Sequence, residues 1–282
     1  MASKIRFGTA GTPTTVSGQG SLEGIREVKR LGLGAFEFEF VQSARMRDEL
    51  AVACGREAEK LGVALSAHAP YYVNLISAEK EKRVASVERI LATARILSKA
   101  GGTEVVFHPG FYGKMEKKAA FEEMKAAFGL ILDKMKGEKL SAVLAPETTG
   151  KHSAWGSLEE TVAISKEFGF EKVRLTIDFG HLHARLNGGI KTGKDFGRIL
   201  DLVKNELGQK ALLHLHGHLT GMHYSIKGEL YHLPVSSKSP DYSLLWPELV
   251  ERKCAGTLIS ESPNIEGDAL LMMNEYEKCA GG

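Results

Sequence analysis

Eight short apolar runs, separated by longer stretches in which apolar residues recur every three or four positions, leave this chain little freedom in its fold. The strand-like runs are "KIRFGTA" (4–10), "AFEFEFV" (35–41), "VALSAHA" (63–69), "EVVFHPG" (104–110), "SAVLAPE" (141–147), "VRLTID" (173–178), "ALLHLHGH" (211–218) and "GTLISES" (256–262). Between them lie helical patterns such as "EKRVASVERILATARILSKAGG" (81–102), closed by a glycine pair, and "SLEETVAISKEFGF" (157–170), where Ser157 and Glu160 have capping-box spacing. Strands that alternate with helices imply βαβ units and a parallel sheet, and eight units close most economically into a (β/α)8 TIM barrel of the α/β class. The competing open, doubly wound sheet lacks support, because no G-x-G-x-x-G follows the first run. No linker, repeat or low-complexity segment divides the chain, so residues 1–282 are read as one domain.

At 282 residues the core is large enough to need no disulfide staples. The three cysteines, Cys54, Cys254 and Cys279, are scattered, which together with the absence of a signal peptide predicts a cytoplasmic protein. A formal charge of +2 neither demands nor excludes nucleic acid, since a basic face can sit on a nearly neutral chain.

The chemistry collects where the strands end. His68 closes the third run, His108 the fourth, Glu147 the fifth and Asp178 the sixth, with His181 just beyond. The seventh ends among His214, His216 and His218, and the eighth at Glu261. In a parallel barrel these edges share one face, where barrel active sites are built. One histidine after one strand is ordinarily a hydrogen-bonded structural residue, but coincidence at six consecutive strands is a poor explanation. Imidazoles with carboxylates and no cysteine cluster suit Zn²⁺ or Mn²⁺ better than an all-oxygen Mg²⁺ or Ca²⁺ cage. A carboxylate can bridge two such ions, so the pattern predicts a multinuclear metal centre. Asp178 and His181, three apart across a strand end, are expected to serve neighbouring metals. His183 is read as lying outside the ligand set. Two polar interruptions, "HARLNGGIKTGKDF" (183–196) and "LTGMHYSIKGELYHLPVSSKSPDYS" (219–243), are read as long functional loops after strands six and seven.

With "HAPYYVNL" (68–75), "FHPG" (107–110), "PETTGKHSAWG" (146–156), "IDFGH" (177–181), "KGELYHLP" (227–234) and "ISESP" (259–263), the chain resembles the endonuclease IV family of apurinic/apyrimidinic endonucleases, within the xylose-isomerase-like barrels. The resemblance runs through nearly the whole chain. It implies a zinc-dependent hydrolase of DNA repair with two or three ions per chain, which cuts double-stranded DNA 5′ to abasic sites as a monomer. By resemblance His68, His108 and Glu147 hold one metal, with Glu147 bridging to a second held by Asp178, a strand-seven histidine and Glu261. His218 is favoured for that position and His216 is second. Glu147, Asp178 and Glu261 are the expected catalytic set, Glu261 also orienting the nucleophile. His181 and His232 belong to a third metal. There the family's Asp-x-His pair is not kept: Leu230 stands two before His232, and Glu229, three before it, is the expected substitute because i and i+3 can meet on a turn. Tyr71 and Arg45 match residues that engage the DNA, and Trp155 and Lys151, which flank the Glu147 loop, are expected to contact backbone or substrate. Two other readings fit the same barrel: a sugar isomerase or epimerase using Glu147 and Glu261 as acid and base, and a non-catalytic DNA-binding relative.

Overall fold

The computed structural model describes residues 5–16 and 20–281. Eight parallel strands form one sheet: Ile5–Ala10, Ala35–Glu39, Ala64–His68, Glu104–Phe107, Val143–Pro146, Thr176–Asp178, Leu215–Leu219 and Gly256–Ser260. They are called here the first to eighth strands. Each pairs with its chain neighbours, and the first pairs with the eighth from Ile5↔Gly256 to Thr9↔Ser260. Bridges Leu144↔Val173 and Glu147↔Thr176 join fifth to sixth and close the TIM barrel that the alternation predicts.

Strand alternation sorts the side chains into two environments. One set meets the outer helices and forms the hydrocarbon core. Phe107 packs on Phe128 of helix Lys117–Gly137 with ring centroids 5.7 Å apart, and Phe7 packs on Trp246 and Tyr276 at 5.9 and 5.6 Å. The other set fills the barrel, and much of it is polar: Glu37, Ser66, Thr176 and His216 are all buried. Glu37 stands in register with Ser66, while His216 is in register with both Thr176 and Thr257. Stability therefore rests on the helix-facing layer, leaving the interior for chemistry.

Local signals hold where the residues make them. Ser157 and Glu160 form the expected capping box on helix Leu158–Phe168. Helix Asp48–Leu61 ends on Gly62 at φ 69°, a left-handed cap that glycine adopts without strain. Elsewhere the sequence reading needs correction. "ALLHLHGH" is not strand throughout, because Gln209–Leu213 is a short helix and the seventh strand begins at Leu215. The loop expected after the sixth strand is helical at both ends, with only 186–192 irregular. Phe179–Arg185 follows directly, capped by the Asp178 side chain, and Thr192 with Asp195 starts helix Gly193–Leu207. The excursion after the seventh strand holds a two-stranded hairpin, Gly221–Ser225 with Gly228–Leu233. Among the described residues no helix is long and apolar enough to cross a membrane.

The first two strands approach so closely at Gly8 that a Cβ there would sit 2.1 Å from the Ala35 carbonyl oxygen. Gly8 pairs with Ala35 in the sheet, so the clash falls on backbone that cannot move alone. Gly8→Ala is expected to cost at least about 2 kcal/mol in urea denaturation, and a loss below about 0.5 kcal/mol would show that the barrel relaxes there.

Candidate metal centre

Glu147 occupies the middle of the barrel mouth. It follows the fifth strand, its backbone N–H donates to the Phe107 carbonyl at 3.0 Å, and its side chain has no exposed surface. Oε2 lies 3.0 Å from His68 Nε2 and 3.0 Å from His108 Nε2. Oε1 lies 2.9 Å from His181 Nδ1 and 3.5 Å from His218 Nδ1. His218 Nδ1 is also 3.0 Å from Glu261 Oε1, and Asp178 Oδ2 is 3.2 Å from His181 Nδ1. Two groups result, each with one ligand-type atom per residue inside 4.8 Å: His68, His108 and Glu147, and Glu147, Asp178, His218 and Glu261. The strand-end residues singled out in the sequence thus converge, with Glu147 common to both groups.

The imidazoles are held for a purpose. His68 Nδ1 donates to the Ala69 carbonyl at 2.7 Å and His181 Nδ1 to the Thr148 carbonyl at 3.0 Å. His232 Nδ1 likewise donates to the Glu261 carbonyl at 3.0 Å. A backbone carbonyl can only accept, so each contact places a proton on Nδ1, and Nε2 of His68 and of His181 faces Glu147 and Glu229 respectively. Anchoring of this kind orients metal-binding histidines. Glu147 Oε1, Asp178 Oδ2 and His218 Nδ1 are buried atoms with no hydrogen-bond partner among the described residues. Unpaired buried polar atoms are costly, and a cation would satisfy all three. The donors are nitrogen and oxygen alone, a fit for zinc or manganese.

Charge states follow from this crowding. Burial opposes ionisation of Glu147, but the facing imidazoles of His108 and His218 hold its carboxyl well below the usual carboxylate range. Burial would lower His68, yet the carboxylates of Glu147 and Glu39 raise it to about 10. His181 and His218 are raised in the same way, against burial, chiefly by Asp178 and by Glu261 respectively. Asp178 is pushed up to about 7 by burial.

Beside this centre His181 Nε2 lies 3.3 Å from Glu229 Oε2, and the His232 ring stands 5.7 Å from that of His181. Glu229 and His232 do meet at His181, but not on a turn. Both lie on hairpin strand Gly228–Leu233, where residues three apart would normally face opposite ways. Tyr224 pairs with Glu229 while His223 pairs with Tyr231, so Leu230 is an extra, bulged residue that returns both side chains to one face. Glu229 Oε2 also accepts from the Gly150 N–H at 2.9 Å, which ties the hairpin to the Glu147 loop.

Other expectations separate. His216 turns below the centre, with Nε2 2.9 Å from Glu37 Oε2 and Nδ1 2.7 Å from Thr257 Oγ1, and does not join the Glu147 group. Tyr71 is half exposed at the rim, its ring 5.6 Å from that of His68. Arg45 is exposed on the segment before helix Asp48–Leu61. Trp155 is fully buried, which corrects its reading as a substrate contact, and Lys151 Nζ is 3.7 Å from Glu229 Oε1. The His183 ring packs on that of Tyr224, with centroids 5.3 Å apart.

The sequence reading missed Glu37 and Glu39. The signal was "FEFEF": a barrel strand with helices on its outer side has no solvent face, so alternating glutamates must point inward. Glu37 is fully buried and accepts from Ser66 Oγ at 2.6 Å.

Metal uptake requires neutral imidazoles, so the raised histidines must lose protons to bind. Zinc addition to the metal-free protein at pH 7 is expected to release at least about one proton per ion into weakly buffered solution, with affinity falling as pH is lowered. Proton-neutral uptake would contradict the charge states.

A family profile described as a xylose isomerase-like TIM barrel matches residues 25–266. An uncharacterized protein of Methanocaldococcus jannaschii is 37% identical over 272 residues, covering 96% of this chain and 97% of its own length. Endonuclease IV from Thermus thermophilus superposes with a TM-score of 0.72 at 20% identity, over 98% of this chain and 99% of that one. A D-tagatose 3-epimerase-like protein gives the same TM-score at 16% identity, over 98% of each chain, so overall shape does not separate nuclease from epimerase. The strand-end ligand pattern and the matching profile lead to one assignment: the chain belongs to the xylose isomerase-like TIM barrel family.

Proposed function

We propose that this protein is a metal-dependent endonuclease of DNA repair that cleaves the backbone of double-stranded DNA 5′ to abasic sites. The observation that carries the reading is that three clusters adjoin: His68–His108–Glu147, Glu147–Asp178–His218–Glu261, and His181 with Glu229 and His232. The second cluster alone would suit an epimerase acting on a small sugar. The imidazoles beyond it favour the larger charge of a phosphodiester in its transition state.

His68, His108 and Glu147 would hold one ion, Glu147, Asp178, His218 and Glu261 a second, and His181, Glu229 and His232 a third. Zinc bound in such a cluster supplies a water acidic enough to be hydroxide near neutral pH, and charge to stabilise the leaving 3′ oxygen. The chain's own groups do the rest. Glu261, whose side chain keeps 12% exposure while Glu147 and Asp178 keep none, is placed to orient the attacking oxygen at the mouth. Tyr71 on the rim offers a ring face to a nucleotide turned out of the helix, a movement that costs least where the base is missing. Arg45, exposed before helix Asp48–Leu61, and Lys151, beside Glu229, would supply positive charge for backbone phosphates.

The test is a labelled duplex with a single abasic site, incubated with zinc-loaded protein. A nick on the 5′ side is expected, and Glu147→Ala should lower the rate by at least about a hundredfold, beyond what loss of a partner outside the ligand shell costs. Full activity in a folded Glu147→Ala protein would remove the assignment. Conversion of a ketose without nicking would point to the epimerase, and retention of DNA without cutting to a binding relative. Glu229→Ala is expected to lose one metal equivalent while keeping the Glu147 ions, and to slow nicking roughly tenfold to a hundredfold. Unchanged metal content would remove Glu229 from the third set.

A further inference from the structure

The second strand contributes two carboxylates that the proposed reaction leaves unused. Glu37 and Glu39 are two residues apart, so they project to the same side of the strand, into the barrel. One oxygen of each lies within 4.8 Å of the other and of an oxygen of Glu261. Three carboxylates gathered this closely repel one another unless positive charge is placed among them, and His218 supplies part of it, 2.9 Å from Glu37 Oε1 and 3.0 Å from Glu261 Oε1.

Hydrogen bonding does not meet that need. Glu37 has no exposed surface, and only its Oε2 is engaged, by Ser66 Oγ and His216 Nε2. Glu37 Oε1 and Glu39 Oε1 are buried and have no hydrogen-bond partner among the described residues. His218 Nε2 is 2.9 Å from Glu37 Oε1, but neither atom is aligned for a hydrogen bond. Close approach without alignment leaves the oxygen's lone pairs available.

We propose that Glu37, Glu39 and Glu261 form an additional divalent-cation site, beside the Glu147 centre and joined to it through the shared Glu261. Its all-oxygen donor set selects a hard ion, Mn²⁺ or Mg²⁺, where the neighbouring histidine-rich sets favour zinc. The site shares Glu261 with the proposed nuclease centre but does not depend on DNA being the substrate.

The competing arrangement is a neutral, protonated Glu39, and Glu39→Gln reproduces that side chain without ligand charge. Equilibrium dialysis with Mn²⁺ should find one equivalent fewer on Glu39→Gln than on the wild type, with the remaining equivalents bound within about twofold of wild-type affinity. Glu37→Gln should lose the same equivalent. Equal stoichiometry in folded variants and wild type overturns the proposal. Should the variants fail to fold, anomalous diffraction at the manganese edge from Mn²⁺-soaked wild-type crystals decides. A peak among Glu37, Glu39 and Glu261 is expected. Peaks beside Glu147 with none beside Glu37, or no Mn²⁺ uptake at all, overturn it. Abasic-site nicking is scored separately, so failure of this site and failure of the nuclease reading remain distinct results.

Discussion

A carboxylate with no exposed surface, faced by four imidazoles, is the constraint around which this barrel is built. Glu147 cannot be desolvated alone, because an isolated buried charge would neutralise or unfold the site. Its partners come from the ends of the third, fourth and seventh strands and from the helix after the sixth, so closing the barrel and gathering these imidazoles are one event. The Glu147↔Thr176 bridge makes the link literal, since the residue that completes the cylinder also stands at the centre of the chemistry.

The division of labour between the two faces of the sheet explains how such an interior is tolerated. Aromatic and aliphatic residues that meet the helices, such as Phe7, Phe107, Phe128 and Trp246, bury the area that drives folding. The inward positions are freed from that duty and carry Glu37, Ser66, Thr176, His216 and Thr257 in place of the branched aliphatic layers common in such barrels. Polar groups buried in this way hold only when their partners are fixed, which the parallel register provides: Glu37 beside Ser66, and His216 beside Thr257.

How much of this could be read from residue order depends on the range of the interaction. Strand-to-helix alternation is local and periodic, so the eight strands and the closed barrel were legible. So were His68, His108, Glu147, Asp178, His218 and Glu261, because a polar residue at the end of an apolar run is visible wherever the strand goes. The start of the seventh strand was not, since "ALLHLHGH" is apolar from its first residue and helix and strand compete for Ala211–Leu213. The meeting of Glu229 with His232 was expected for the wrong reason: a bulge at Leu230 is set by pairing with the opposite hairpin strand, which no spacing rule contains. Glu37 and Glu39 were overlooked because alternating glutamates normally mark a half-exposed strand. Only closure of the barrel turns that face inward.

Zinc K-edge absorption on zinc-loaded protein tests, without reference to any substrate, whether these carboxylates and imidazoles would enclose a pair of cations with Glu147 common to both. The expected spectrum has nitrogen and oxygen neighbours at about 2.0–2.1 Å, no sulfur, and zinc–zinc scattering at about 3.5–4 Å. A sulfur shell near about 2.3 Å, or zinc with no metal neighbour, would contradict it.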